Sequence, residues 1–128
     1  MFTAADVIHA YTRADAIRDG ALIDVTEKAA QAGFRVPVCL TARVWAECVA
    51  WPETEPAIQD ESGRLWDLVF VAAVAARKAA RRDTHRVVFQ LGVVPRGHRV
   101  PGLVRLVLHV GPGDRGEAVV TILAPDED

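Results

Sequence analysis

Cysteine, lysine, methionine and tyrosine are all scarce. The two cysteines, Cys39 and Cys48, stand nine residues apart and form no CxxC pair. Neither a disulfide framework nor a structural zinc site follows from such spacing. The four histidines, His9, His85, His98 and His109, are dispersed singly, so no metal and no cofactor is expected. The longest apolar run, residues 68–76, is less than half of a membrane span, which argues against a membrane protein. No basic segment followed by an apolar stretch and a small-residue cleavage site opens the sequence, and the expectation is a cytoplasmic chain with reduced thiols. A net charge of -2 argues against a histone-like coat or a wholesale DNA mimic.

What is present suits one globular domain. The chain has 128 residues, 51% hydrophobic and 25% charged, enough to bury a core without cross-links. Residues 1–128 are expected to form a single domain, ordered from about 8 to 124, with a frayed acidic tail over 124–128. Residues 1–64 carry a net charge of -4 and residues 65–128 a net charge of +2. Eight basic residues and one acid, Asp83, lie between positions 77 and 105. Arginine outnumbers lysine 13 to 2 in a chain rich in alanine and valine. A GC-rich bacterial genome produces that bias, so arginine alone does not signal phosphate recognition.

Local signals predict four helices followed by strands. Thr12 and Asp15 form a start signal for a helix to about Asp19, stopped by Gly20. Residues 21–25 form a short apolar piece, and Thr26 caps a second helix ending at Gly33. Alternation of Phe34, Val36, Val38 and Leu40 predicts a strand, with Pro37 at an edge or irregularity. Thr41 caps a third helix, with Val44, Trp45, Cys48 and Trp51 on its apolar side. Asp60 or Ser62 starts the longest helix, about 63–82, apolar almost all round and therefore central. Alternating strands follow over 85–91 and 103–110, and a final strand over 118–123, the last two joined by the glycine-rich turn 111–117. The predicted class is α+β: N-terminal helices, one long and central, packed on a C-terminal antiparallel sheet of three to four strands.

Three blocks carry a family resemblance: YTRADAIRDGALIDVTEKAAQAGFRVPVCLTARVWAECVAW at 11–51, RLWDLVFVAA at 64–73 and HVGPGDRGEAVVTI at 109–122. Together they resemble a family of small bacterial proteins of unknown function carried on plasmids, prophages and other mobile elements. The resemblance implies context but no catalytic residue or ligand. Genes of that kind serve transfer, maintenance or evasion of host defence, tasks that a protein partner would mediate.

Each candidate motif also has a plain structural reading. His109 with Asp114 could orient an imidazole for acid–base work, and Asp67 could add a carboxylate, provided all three converge. Otherwise His109 is a solvent-facing side chain, Asp114 belongs to a hairpin turn, and Asp67 suits the dipole at a helix start. Tyr11 and Arg13 could hold a carboxylate or phosphate; alternatively Asp19 and Asp24 pair with Arg13 and Arg18 to fix two turns. Trp45 and Trp66 read as core, whereas Trp51, beside Pro52, is the tryptophan expected at the surface as a binding hot spot. The basic span, with Arg77, Arg81, Arg82, Arg86, Arg96, Arg99 and Arg105, suits an acidic protein surface or nucleic acid. It lacks interleaved aromatics and any helix–turn–helix pattern. The expected function is thus non-enzymatic protein binding. Nucleic-acid binding and a small His109/Asp114 enzyme stand as alternatives, and a homodimer could form through an edge strand near Pro37 or Leu123.

Overall fold

The first helix, α1 (Arg13–Asp19), is set by its two ends. Thr12 Oγ1 accepts from Asp15 N at 3.0 Å and the Asp15 carboxylate accepts from Thr12 N at 3.2 Å. Gly20, at φ 82°, supplies the left-handed stop. The structure is a computed structural model and describes residues 10–56 and 58–128; the start of the expected ordered span, and His9, lie outside them. β1 (Leu22–Asp24) leads into α2 (Thr26–Ala32). Thr26 is the first helical residue rather than the cap. Asp24 Oδ1 accepts from Thr26 N at 2.9 Å, and the Thr26 hydroxyl accepts from Val38 N at 3.1 Å, tying the helix start to the next strand.

That strand, β2 (Val38–Thr41), is shorter than the alternation predicts. Pro37 has no N–H to offer a ladder and lies ahead of it, while Phe34 and Val36 rest half-buried on the core. Thr41 Oγ1 accepts from Val44 N at 3.2 Å, the expected cap, yet α3 runs only over Ala42–Val44. It widens into a π turn over Trp45–Val49, closed by Ala50 N donating to Trp45 O at 2.8 Å. The long helix α4 (Glu61–Arg81) starts where Asp60 Oδ1 accepts from Gly63 N at 2.6 Å. Ala72, Ala73, Ala75 and Ala79 on its buried side let α2 and the sheet approach closely.

β3 (Arg86–Val93), β4 (Gly102–Pro112) and β5 (Ala118–Leu123) complete one five-stranded sheet in the order β1-β2-β5-β4-β3. All neighbours pair antiparallel except β2 and β5, which are parallel. The class is α+β as expected, but the two short N-terminal strands join the sheet instead of standing apart. β2 and β5 are therefore interior, and among the described residues the sheet edges are β1 and β3, not the strands near Pro37 or Leu123.

The inner face of the sheet carries Val38, Leu40, Phe89, Leu91, Leu106, Leu108, Val120 and Ile122 against Leu68, Val69 and Ala72 of α4. The outer face buries Cys39, Val107, Val119 and Leu123. The tail does not fray. Pro125–Glu127 form a 3₁₀ turn, with Thr41 Oγ1 donating to Glu127 at 2.8 Å, Arg43 bound to Asp126 at 2.6 Å and Arg86 bound to Asp128.

The cap of α1 makes stability depend on acid. The Thr12 N–H, followed by the Arg18 guanidinium, holds the Asp15 carboxyl down to about 2. A lowered carboxylate stabilises the fold above its unfolded pKa of about 4 and loses that contribution as pH falls towards about 2. Urea unfolding across this window is expected to show a steeper acid loss in the wild type than in Asp15→Asn.

Candidate functional site

Arg64 is a cation on the buried side of α4, one turn before Leu68. Its side chain is only 4% exposed. Nε donates to Val49 O at 3.0 Å, one terminal nitrogen to Val94 O at 2.7 Å and the other to Glu47 O at 3.4 Å. The guanidinium also lies 4.8 Å from the centre of the Trp51 ring. Burial pushes its pKa down, and among the described residues no acid is in hydrogen-bond contact with it. Trp51, expected at the surface, is consequently 7% exposed; its indole N–H donates to Pro56 O at 2.9 Å and its backbone N–H to Glu61 at 3.1 Å. The π turn explains the difference. It ends the third helix at Val49, so Trp51 folds back under α4. Trp66, expected in the core, is 38% exposed and sits beside Phe70, 52% exposed, with ring centres 6.1 Å apart.

On the outer face, cross-strand register lines up Asp24, Cys39, Thr121, His109 and Arg86, one from each strand. Arg13 drops onto the middle of this row. It donates to Thr121 Oγ1 and to Val120 O, both at 2.7 Å, and does not pair with Asp19 or Asp24. Tyr11 Oη donates to Asp19 at 3.2 Å, and Arg18 pairs with Asp15. Asp114, in the β4–β5 turn, accepts from the backbone N–H groups of Arg13 at 2.8 Å and Ala14 at 3.0 Å, so both its oxygens are engaged at the start of α1. His109 lies over Gly111, where a Cβ would come within 2.9 Å of the ring. Asp67 is on α4, on the inner side of the sheet. The three candidate acid–base residues thus do not meet in one cleft.

The basic span is divided among three places. Arg77, Arg81 and Arg82 stand at the end of α4, with Arg77 against Gly33 at the end of α2. Arg86 opens β3 and is held by Asp128. Arg96 and Arg99 lie in the loop between β3 and β4, and Arg105 lies on β4 opposite Gln90. That loop is anchored at both sides: Gly97 N donates to Glu55 at 3.1 Å and Val94 O accepts from Arg64. On it, or directly after it, stand Val100 at 75% and Leu103 at 76% exposure. Leu103, Val93, Pro95 and Arg96 also line an open cleft of about 460 Å³. Residue-by-residue reading found the arginines but not these two apolar side chains between them. The only signal was the strand phase, which set Leu103 and Arg105 on the face away from the core.

The sequence model of a family of unknown function, DUF6573, matches residues 1–128. The chain belongs to this family. No curated protein and no solved structure matches it.

Two further features bear on its chemistry. Among the described residues no group of three or more His, Cys, Asp or Glu side chains is placed to hold a metal ion, and no helix is long and apolar enough to cross a membrane. Both thiols are buried. Burial pushes Cys48 up to about 11 and raises Cys39 as well, against a smaller opposing effect of Arg13, so both stay protonated at neutral pH.

Removing the Arg64 guanidinium leaves three carbonyls without their donor. Arg64→Met is expected to destabilise the fold by about 3 kcal/mol, read by urea unfolding. A thiol reagent is expected to leave Cys39 and Cys48 unmodified in the native protein and to label both once urea unfolds it.

Proposed function

We propose that this protein works by binding another protein, as a non-enzymatic accessory factor of a mobile genetic element, directed against a host defence system. The mobile-element context is what the family resemblance implies. The observation that carries the binding reading is the exposure of Val100 and Leu103 among Arg96, Arg99 and Arg105. Two large apolar side chains in water, interleaved in sequence with arginines, suit a partner with an apolar pocket and an acidic rim. The anchored β3–β4 loop supports this reading, because a held loop loses little conformational freedom on docking. Two of the polar side chains that sequence alone offers for catalysis have other duties: Asp114 caps α1 and Arg13 clamps β5.

The test is affinity purification of the tagged chain from its native host, with mass spectrometry and parallel Leu103→Glu and Arg99→Glu variants. A stoichiometric protein whose recovery falls about tenfold or more with either variant is the expected result. No stoichiometric protein, or one indifferent to both variants, overturns the reading. Recovery that disappears on nuclease treatment favours the alternative, a nucleic-acid binder using the same arginines.

A further inference from the structure

The free edge of β3 and the flank of α4 above it form a surface that matches itself. Val110 N donates to His85 O at 2.8 Å, which sets the phase of the β3–β4 ladder. Residues 85, 87, 89, 91 and 93 exchange bonds with β4, and Arg86, Val88, Gln90 and Gly92 turn their N–H and C=O groups to the open edge. The Thr84 hydroxyl engages both groups of Arg86, accepting from its N–H at 3.4 Å and donating to its carbonyl at 3.1 Å. Among the described residues the outward groups of Val88, Gln90 and Gly92 have no partner. Natural edges are blunted by proline, lysine, bulges or cover; residues 87–93 have no proline or lysine, and their register with β4 runs without a bulge.

α4 packs over β3 and runs antiparallel to it, so its N-terminal half lies above Leu91 and Gly92. Its exposed flank carries Trp66, Phe70 and Val74, with Asp67 towards the N-terminal end and Lys78 and Arg81 towards the C-terminal end. An apolar centre with opposite charges at its two ends is complementary to a copy of itself turned end for end.

We propose that the chain forms a twofold dimer through β3, merging two sheets into one and laying the two α4 helices antiparallel on the same face. An axis at Phe89 sets Val88 opposite Gln90, Val87 opposite Leu91 and Arg86 opposite Gly92 of the second copy, with no like charges directly opposed. Val88 and Gln90 then exchange the hydrogen bonds left open at the edge. Above them the aromatic stripes meet, and Asp67 of each copy comes alongside Lys78 and Arg81 of the other. Leu103 lies one strand in from the paired edge, opposite Gly92, and Val100 lies in the loop beyond it, so the pairing of β3 uses neither side chain and does not depend on the partner reading above.

Analytical ultracentrifugation of the full chain, with folding checked by circular dichroism, tests this. At about 100 µM the sedimenting mass is expected to be twice the 13.9 kDa of one chain. Phe70→Glu and Asp67→Arg, both at exposed positions, are each expected to weaken association about tenfold or more. Combining Asp67→Arg with Lys78→Glu and Arg81→Glu is expected to restore it, because reversed charges still face one another across the axis. Backbone amides of Val88 and Gln90 are expected to gain exchange protection as concentration rises. A monomer at about 100 µM, or a dimer indifferent to Phe70→Glu and Asp67→Arg, overturns the proposal. So does a dimer lost on Val100→Glu, which would place the contact at the hairpin loop instead.

Discussion

The Arg64 guanidinium reaches three carbonyls on two separate stretches of chain, the π turn and the end of β3, and covers the Trp51 indole as well. A buried cation is costly unless its donors are satisfied, and here neutral carbonyl dipoles satisfy them rather than an acid. The π turn owes its use to this contact. Its wide winding leaves the Glu47 and Val49 carbonyls available to a side chain from outside the turn. The loop after β3 is fixed by the same group, and that loop presents the arginines and apolar residues of the proposed binding surface. The outer face has its own tie: Arg13 joins α1 to β5 and Asp114 joins the β4–β5 turn back to α1.

Features governed by neighbours in sequence were legible without a structure. The ends of α1 and the start of α4 at Asp60 follow from caps and a left-handed glycine, and β5 follows from a short β-branched run after a glycine-rich turn. Features governed by distant neighbours were not. No local pattern marks β2 as the parallel neighbour of β5, because that pairing depends on residues about eighty positions away. Trp51 and Trp66 exchanged their expected places for a related reason. A helix apolar almost all round does not reveal which flank is covered, and the place of Trp51 beside Pro52 does not reveal that Arg64, from a later helix, covers its ring.

The candidate site was legible as a list of residues but not as a surface. Charge reads directly from sequence, so the arginines were found; their separation among α4, β3 and the β3–β4 loop is a property of the fold. Arg13 and Asp114 read as chemistry because their side chains are reactive types, yet each does its work on backbone groups of another element. Polar side chains in a chain of this size are needed to close caps and tie strands, which leaves apolar exposure and edge geometry as the better guides to what the molecule touches.

The strand order has a consequence for how the chain assembles. β5 follows β3 and β4 in sequence but stands between them and β2. The β3–β4 hairpin can form from nearby residues, whereas β1 and β2 have no place beside it until β5 supplies an edge on each side. The N-terminal third therefore waits on the last strand, and the sheet closes from the middle outward. During synthesis, the apolar inner residues of β2 and the buried side of α4 stay without their full complement until β5 is made, so the chain is most open to misassociation in that interval.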